Sequence, residues 1–331
     1  MANDGRWHRR AMLSLGGAAL LPRQARAQGS ANWPERPVRI IIPFAAGASH
    51  DVLVRMLAEQ LQVRLGQPFV CENRPGAGGN IGTEAVARAA PDGYTINAAT
   101  IGTLTINQFL YTRLPYDPLR DFVPATLIWE GANCLFVSAQ HNPSRTLAEF
   151  TAWAKARPGG TTFSSAGAGT TPHLAGELLR MRAGIPATHV PYREGGQRVL
   201  DLASGTLDFA VDNVSTYTAL LEEGKIRALA VAAAARWPTL SEVPTMAEAG
   251  LPGLEVPTWG AFAFPTGTPP MVVEKLAETV RRIAGDPAIR QRFLRAGGKS
   301  VASTPSDTAA FVALERERWQ AVVRASGARI E

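Results

Sequence analysis

Apolar and polar positions alternate between two rhythms along this chain. Val38, Ile40, Ile41 and Ile42 form a short apolar run suited to a strand covered on both faces, and Pro43 stops it. From Val52 onward apolar residues recur at helical spacing, at Leu53, Met56, Leu57, Leu61 and Leu65. The unit then repeats. Residues 68–72 predict a second strand, 73–82 a glycine-rich loop and 83–90 a helix. Residues 94–98 predict a third strand, followed by a loop at 99–103.

A second set begins near Cys134. Residues 135–138, 162–164, 208–213 and 226–232 are strand-like, and another strand ends in His189-Val190-Pro191-Tyr192. Thr146 with Glu149 is a capping-box pattern opening a helix through Lys155. Thr171-Pro172 places a capping residue before a proline in the first helical turn. In the tail, Thr268-Pro269, Asp286-Pro287 and Thr304-Pro305 predict three more helix starts. Strands alternating with helices predict an α/β protein with largely parallel sheets.

The first 27 residues have a different character. Arg9 and Arg10 precede a short apolar stretch, 11–21, too short to span a bilayer, and Ala25-Arg26-Ala27 offers a small-x-small cleavage site. This predicts a secretory signal peptide at 1–27, with the arginine pair compatible with twin-arginine export, and a periplasmic location. The formal charge of the whole chain is +6, but residues 1–27 hold five arginines and one aspartate. The remainder carries 29 basic and 27 acidic residues, so no nucleic-acid partner is expected. No other apolar stretch is long enough for membrane insertion. Cys71 and Cys134 sit in strand-like surroundings and read as two buried free thiols rather than a disulfide.

Four strand-to-helix loops, at 43–51, 73–82, 99–103 and 164–171, are built from small residues. Such loops lie at the carboxyl ends of strands, where ligands bind in α/β sheets. Helix N-termini there offer N–H donors and partial positive charge, so two facing sets of loops can grip a small anion without any arginine. The candidate ligand contacts are Phe44, Ala45, Gly47, Ala48 and Ser49 in the first loop, Asn80 in the second, and Thr100, Gly102 and Thr103 in the third. The fourth contributes Ser165, Gly167, Gly169 and Thr170. His173, near a helix start, either borders the ligand or packs, and is expected neutral. Asp212 and Asn213, at a strand end, either meet a ligand amine or hydroxyl or cap the next helix.

No loop shows a nucleophile–base pair, and there is no G-x-S-x-G elbow, P-loop or in-register dinucleotide fingerprint. The histidines at 50, 141, 173 and 189 lack metal-ligand spacing. No metal and no cofactor is expected. Among the tryptophans, Trp259 is the candidate for a place in the cleft.

Several segments stand out together: Trp33-Pro34-Glu35-Arg36-Pro37, Pro43-Phe44, the block from Glu72 to Gly82, Ala90-Pro91-Asp92-Gly93-Tyr94, Leu114-Pro115-Tyr116-Asp117-Pro118 and Val190-Pro191-Tyr192. These segments resemble the Bug-type solute-binding proteins, the extracytoplasmic receptors of tripartite tricarboxylate transporters. They stand in the family's order along nearly the whole chain beyond residue 27. The resemblance implies a type II periplasmic-binding-protein fold, with two α/β lobes, a hinge and an interlobe ligand cleft. It places lobe 1 at 28–130 and 252–331 and lobe 2 at 131–251. It implies a monomer that captures a small carboxylate, held by backbone groups at the first loop with help from the facing lobe and Tyr192, for delivery to membrane transporter subunits. The alternatives are an exported enzyme acting on a small acid and an orphan ligand-sensing receptor.

The chain also departs from that pattern. The family's Pro-Phe-x-Pro-Gly-Gly appears as Pro43-Phe44-Ala45-Ala46-Gly47-Ala48, and its Ser-Ala-Gly-Asn-Gly-Thr appears with Ala168 in place of Asn. Phe-Asp-Asn appears as Val211-Asp212-Asn213. These changes make the pocket less polar, and imply a ligand with an apolar or aromatic body beside its carboxylate.

Overall fold

A 17-residue strand organises the molecule. The computed structural model describes residues 32–192, 195–326 and 329–330; the leader expected at 1–27 lies outside the described residues. In chain order the first elements are β1 (Val38–Ile42), α1 (Ser49–Leu65), β2 (Phe69–Asn73), α2 (Asn80–Ala87), β3 (Thr95–Thr100) and α3 (Asn107–Leu110). The long strand β4 (Phe122–Ser138) follows. Then come α4 (Leu147–Ala156), β5 (Thr161–Ser165), α5 (Thr171–Ala183), β6 (Ala187–Pro191), α6 (Gly195–Ala203), β7 (Phe209–Asn213), α7 (Val214–Glu222) and β8 (Ile226–Val231). The chain ends with β9 (Pro257–Pro265), α8 (Pro270–Gly285), α9 (Pro287–Arg295), β10 (Lys299–Ser300) and α10 (Pro305–Ser326).

The strands run in the order β2-β1-β3-β9-β4-β7-β5-β6, with β8 and β10 also paired to β4. β4 changes partner midway. Ala132 faces Pro257 of β9, and the next residue, Asn133, faces Asn213 of β7. Its first half thus belongs to one sheet and its second half to the other. The outer strands are parallel: β1 to β2 and β3, β5 to β6 and β7. The largely parallel sheets expected from the alternation are corrected here, because β4 and β9 run antiparallel to their neighbours. The apolar run Ala261-Phe262-Ala263-Phe264, wholly buried in β9, is the signal that periodicity did not convert into a strand.

Each half has apolar packing of its own on one face, and a further cluster, with Ile41 and Ala99 from the first half and Leu135 and Phe163 from the second, runs through both. On the first sheet, Ile40 and Ile42 pack with Leu53, Leu57 and Leu61 of α1 and with Val280 and Ile283 of α8. On the second, Phe136 of β4 packs against Tyr217 of α7, with ring centroids 4.8 Å apart. Three of the predicted caps hold, while Thr171 and Thr268 do not: the N-caps there are Thr170 and Pro269, without side-chain bonds, and the Thr268 hydroxyl donates back to the Pro265 carbonyl. Thr146 accepts the Glu149 N–H at 3.1 Å, while the Glu149 carboxylate reaches back to the Arg145 N–H, one residue earlier than the box pattern. Asp286 and Thr304 accept the N–H groups of Ala288 and Asp307. The helix expected at Thr83 starts three residues sooner, at Asn80. β3 runs on through Thr100, so the predicted loop at 99–103 is a strand end entering a wide turn in which the Asn107 N–H reaches the Gly102 carbonyl.

Both cysteines are free; Cys134 is buried, but Cys71 is only half-buried, because its strand lies at the sheet edge. Among the described residues no helix is long and apolar enough to cross a membrane.

Candidate functional site

The loop after β1 is set by one carboxylate. Asp51, in the first turn of α1, accepts the Gly47 N–H at 2.9 Å, Arg55 Nε at 2.9 Å and Asn73 Nδ2 at 2.8 Å. Asn73 Nδ2 also donates to the Phe44 carbonyl. Burial pushes the Asp51 carboxyl up, but the donations from Arg55, Asn73 and Gly47 outweigh it and hold the group ionised below its ordinary range. Gly47 takes φ 77°, a left-handed conformation that favours glycine. Ala48 is the N-cap of α1, and no side chain caps that helix end.

Next to this loop, His50 is buried and held at both ring nitrogens. The Trp129 indole N–H donates to Nδ1 at 3.0 Å, so Nε2 carries the proton and donates to the Ala98 carbonyl at 2.7 Å. Burial lowers its pKa to about 4, so the imidazole is neutral. Phe44 meets its edge, with ring centroids 5.9 Å apart.

The facing wall comes from the second half of the chain. Thr170 is the N-cap of α5 and Asn213 the N-cap of α7; neither helix has a side-chain cap. Asn213 thus stands at the N-cap position without bonding the helix through its side chain, and its Oδ1 has no hydrogen-bond partner among the described residues. Arg198, on α6, is buried and donates through Nε to Asp212 Oδ2 at 3.0 Å. Asp212 Oδ1 accepts the Asn213 N–H at 2.7 Å. Burial works against the Arg198 charge, but Asp212 holds the guanidinium ionised.

Between these walls lie two adjoining chambers, one smaller than the other. Phe44, Ala48, Gly78, Ala166 and Arg198 line both. The smaller is mostly apolar, with His50, Ile101, Trp129 and Pro172 on its surface and Ser49, Thr100, Gly102, Thr170 and Asn213 supplying polar groups or small backbone-exposing positions. The larger takes in Ala45, Gly167 and Tyr192. Tyr111 closes one rim by donating its hydroxyl to the Ala168 carbonyl at 3.3 Å, across the front of Gly78.

Other predicted contacts stand behind the walls. Asn80 is buried, accepting from Asn107 at 2.6 Å and from the Tyr116 hydroxyl at 3.0 Å. Thr103 bonds back to Thr100. Gly47 and Gly169 shape their loops, with Gly169 donating its N–H to His173 Nδ1 at 3.2 Å. Ser165 is fully buried, and Asp212 is committed to Arg198 and Asn213. His173 packs rather than lining a chamber; burial lowers its pKa, and its ring stacks on His189 with centroids 4.1 Å apart.

Four expectations are corrected. The seat is not arginine-free, because Arg198 lines both chambers. Arg198 shares a helix face with Leu202 four residues on, so a charge inside an apolar stripe was the available signal. Trp259 is not in the cleft: it is buried and donates to Glu315, and Trp129 takes the wall position. His50, missed as a wall residue, falls three residues before Leu53 on the buried face of α1. Finally, a nucleophile–base contact does exist: Ser165 Oγ lies 2.6 Å from His189 Nε2. The two are 24 residues apart in sequence, which hid the pairing. Ser165 also bonds to Gly167 and lines neither chamber, so the pair fastens the loop instead of facing a substrate. Among the described residues no group of three His, Cys, Asp or Glu side chains is placed to hold a metal ion.

This architecture is shared with known proteins. The model of the tripartite tricarboxylate transporter family receptor, TctC, matches residues 53–328. The protein in the tcbD-tcbE intergenic region of Pseudomonas sp. (strain P51) is 38% identical over 324 residues, covering 98% of this chain and 95% of its own. BugT of Bordetella pertussis is 35% identical over 300 residues, covering 90% of this chain and 92% of its own. Among solved structures, Rpa4515 of R. palustris with adipate is similar at a TM-score of 0.87 and 36% identity, covering 90% of this chain and 100% of that one. MatC from Rhodopseudomonas palustris with bound malate is similar at 0.82 and 33% identity, covering 88% of this chain and 99% of that one. The chain thus belongs to the tripartite tricarboxylate transporter receptor family, whose members are solute-binding receptors of two-lobed α/β fold.

Proposed function

We propose that this chain is an extracytoplasmic receptor that closes on a small carboxylate with an apolar or aromatic body and presents it to membrane transporter subunits. The observation that carries this reading is the meeting of three helix N-termini without side-chain caps, those of α1, α5 and α7, around one largely apolar chamber. Their N–H groups and partial positive charge favour a carboxylate. Phe44, Ile101, Trp129 and the neutral His50 favour an apolar body beside it. The adipate and malate held by Rpa4515 and MatC support the same ligand class.

In this reading the lobes are 28–130 with 252–331, and 131–251. The partner change of β4 between Ala132 and Asn133 supports the first crossing. Closure is a hinge movement at the crossing strands, and the monomer is the working unit. The leader at 1–27 directs export to the periplasm. The protein retains its ligand unchanged, since the Ser165–His189 pair lines neither chamber.

A thermal-shift screen of protein lacking residues 1–27, against aliphatic and aromatic carboxylates, tests the reading. A ligand at 100 times its dissociation constant adds about 2.7 kcal/mol. At this chain size the midpoint rises by roughly 2–4 °C for each kcal/mol. Hits with apolar-bodied acids, recovered unchanged after long incubation, support it. Response to small polar dicarboxylates alone removes the apolar-body preference, and turnover of the hit removes the receptor assignment. No response from folded, ligand-free protein removes the carboxylate seat.

A further inference from the structure

We infer that Ile330 is a positioning residue for closure of the cleft. Its backbone pairs on both sides of Tyr111 and so braces the side chain that ties the first wall to the facing wall at Ala168. The inference rests on the receptor reading and deepens it, by naming a part of the fold that holds the cleft shut apart from any ligand.

Tyr111 stands where the two walls meet. Its hydroxyl donates to the Ala168 carbonyl at 3.3 Å. Beside it, Leu110 lies so close to the backbone of Gly169 that a methyl group there would stand 2.8 Å from Leu110 Cδ2. Asn107, one turn earlier, donates to the Gly78 carbonyl and to Asn80 Oδ1, which seats α3 on the first wall. Local structure alone holds Tyr111 weakly. α3 has four residues, far fewer than a helix needs to sustain itself, and no further helix or strand begins before Phe122.

Ile330 supplies the support from beyond α10. Its N–H donates to the Leu110 carbonyl at 2.9 Å, and its carbonyl accepts the Thr112 N–H at 3.0 Å, a parallel bridge centred on Tyr111. Both flanking peptides are thereby fixed, while the Tyr111 side chain remains directed to Ala168. Ile330 also packs on the cluster that joins Leu104 and Leu110 to Val312, Trp319 and Val323 of α10, and α10 packs on the wide turn after β3. Strap and rim thus form one packed unit. The bond to Ala168 is already long, so a small drift of the Tyr111 backbone is enough to break it.

Hydrogen exchange read by mass spectrometry on the ligand-free protein tests the inference. Ile330→Pro removes the donated N–H, and Ile330→Ala keeps both bridge bonds as the matched control. Thr112→Pro removes the other bond of the bridge; Tyr111 is already extended, φ −87° and ψ 133°, as a residue preceding proline must be. In either proline variant exchange in the 166–170 loop of the facing wall should rise by about 2- to 10-fold, the range of one neutral hydrogen bond. The urea midpoint should stay close to wild type, and Ile330→Ala should match wild type in that loop. Tyr111→Phe should give the same rise, and Ile330→Pro added to it no further rise, because both act through one bond. Calorimetric dissociation constants for adipate and 3-phenylpropanoate should weaken by a similar factor. An unchanged 166–170 loop in both proline variants overturns the inference. So does a further rise when Ile330→Pro is added to Tyr111→Phe, or an Ile330→Ala variant as loose as Ile330→Pro. Coupled exchange in a protein that binds neither acid upholds the brace and tells against the carboxylate seat instead.

Discussion

The indole N–H of Trp129 donates to Nδ1 of His50 across 3.0 Å, joining the strand shared by both sheets to α1. That bond fixes the His50 tautomer and turns Nε2–H toward the Ala98 carbonyl. Trp129→Phe keeps the aromatic wall but leaves a buried acceptor without its donor. A loss of about 1–3 kcal/mol is expected in urea unfolding, with ligand affinity weakened as the wall loosens. An unchanged midpoint and unchanged affinity would show that the bond does not organise the site.

The same histidine makes stability depend on pH. His50 titrates at about 4 in the fold, lowered chiefly by burial, against about 6.5 in the unfolded chain. As pH falls below 6.5 the unfolded chain takes up the proton first. The stabilisation is therefore complete above pH 6.5 and is lost between 6.5 and 4, on the order of 3 kcal/mol from this group. His189, lowered to about 3 by burial and by neighbouring His173, acts in the same direction. Urea midpoints at pH 7, 5.5 and 4.5 should fall steadily, and His50→Gln should flatten the slope. A wild-type midpoint constant across that range contradicts the assignment.

Asp51 holds the loop after β1 by accepting from three donors. Asp51→Ala frees the Gly47 N–H and leaves Asn73 short of a partner. The expected cost is about 1.5–3 kcal/mol, because the lost bonds were made to a charged group. Affinity for whatever acid the wild type binds should fall further than stability alone requires, since the loop carries Phe44, Ala45 and Ala48. Full affinity in Asp51→Ala would place the loop outside the site.

Gly78 tests the closed rim. A methyl group there would lie 2.7 Å from the Tyr111 hydroxyl and 2.9 Å from the Ala168 carbonyl, at a φ of 63°. Gly78→Ala should therefore hold the facing loops apart. Small-angle scattering should show a larger radius of gyration with ligand than for wild type, and affinity should drop by about tenfold or more, a cost of roughly 1.4 kcal/mol. Tyr111→Phe removes one hydrogen bond without the clash and should have a smaller effect. Equal compaction of Gly78→Ala and wild type would show that this rim does not close on the ligand.

Local pattern carried the strand–loop–helix units a long way. The run from Val38 to Ile42, the helix from Val52, and the caps at Thr146, Asp286 and Thr304 depend on neighbours a few residues apart, and these elements occur with small boundary shifts. The small-residue loops were legible for the same reason: a turn between strand and helix constrains its own residues. The sheet pairing was not. β4 and β9 pair across more than a hundred residues, and the partner change at Asn133 has no local mark in the sequence.

The site divides along the same line. The sequence by itself determined the outline of the backbone seat, small loops at strand ends followed by helices read from Val52 and Thr171, because these follow from short-range spacing; the structure sets the N-caps at Ala48 and Thr170. Tertiary structure decided which side chains face the chambers. It brought Trp129 to His50 over 79 positions and set Arg198 against Asp212 at the meeting of the two chambers. It also turned Ser165, His173 and Trp259 into buried supports. The physical reason is that exposure and pairing are properties of packing. A side chain's type states what it can bond, but only the closed three-dimensional arrangement states what lies within reach.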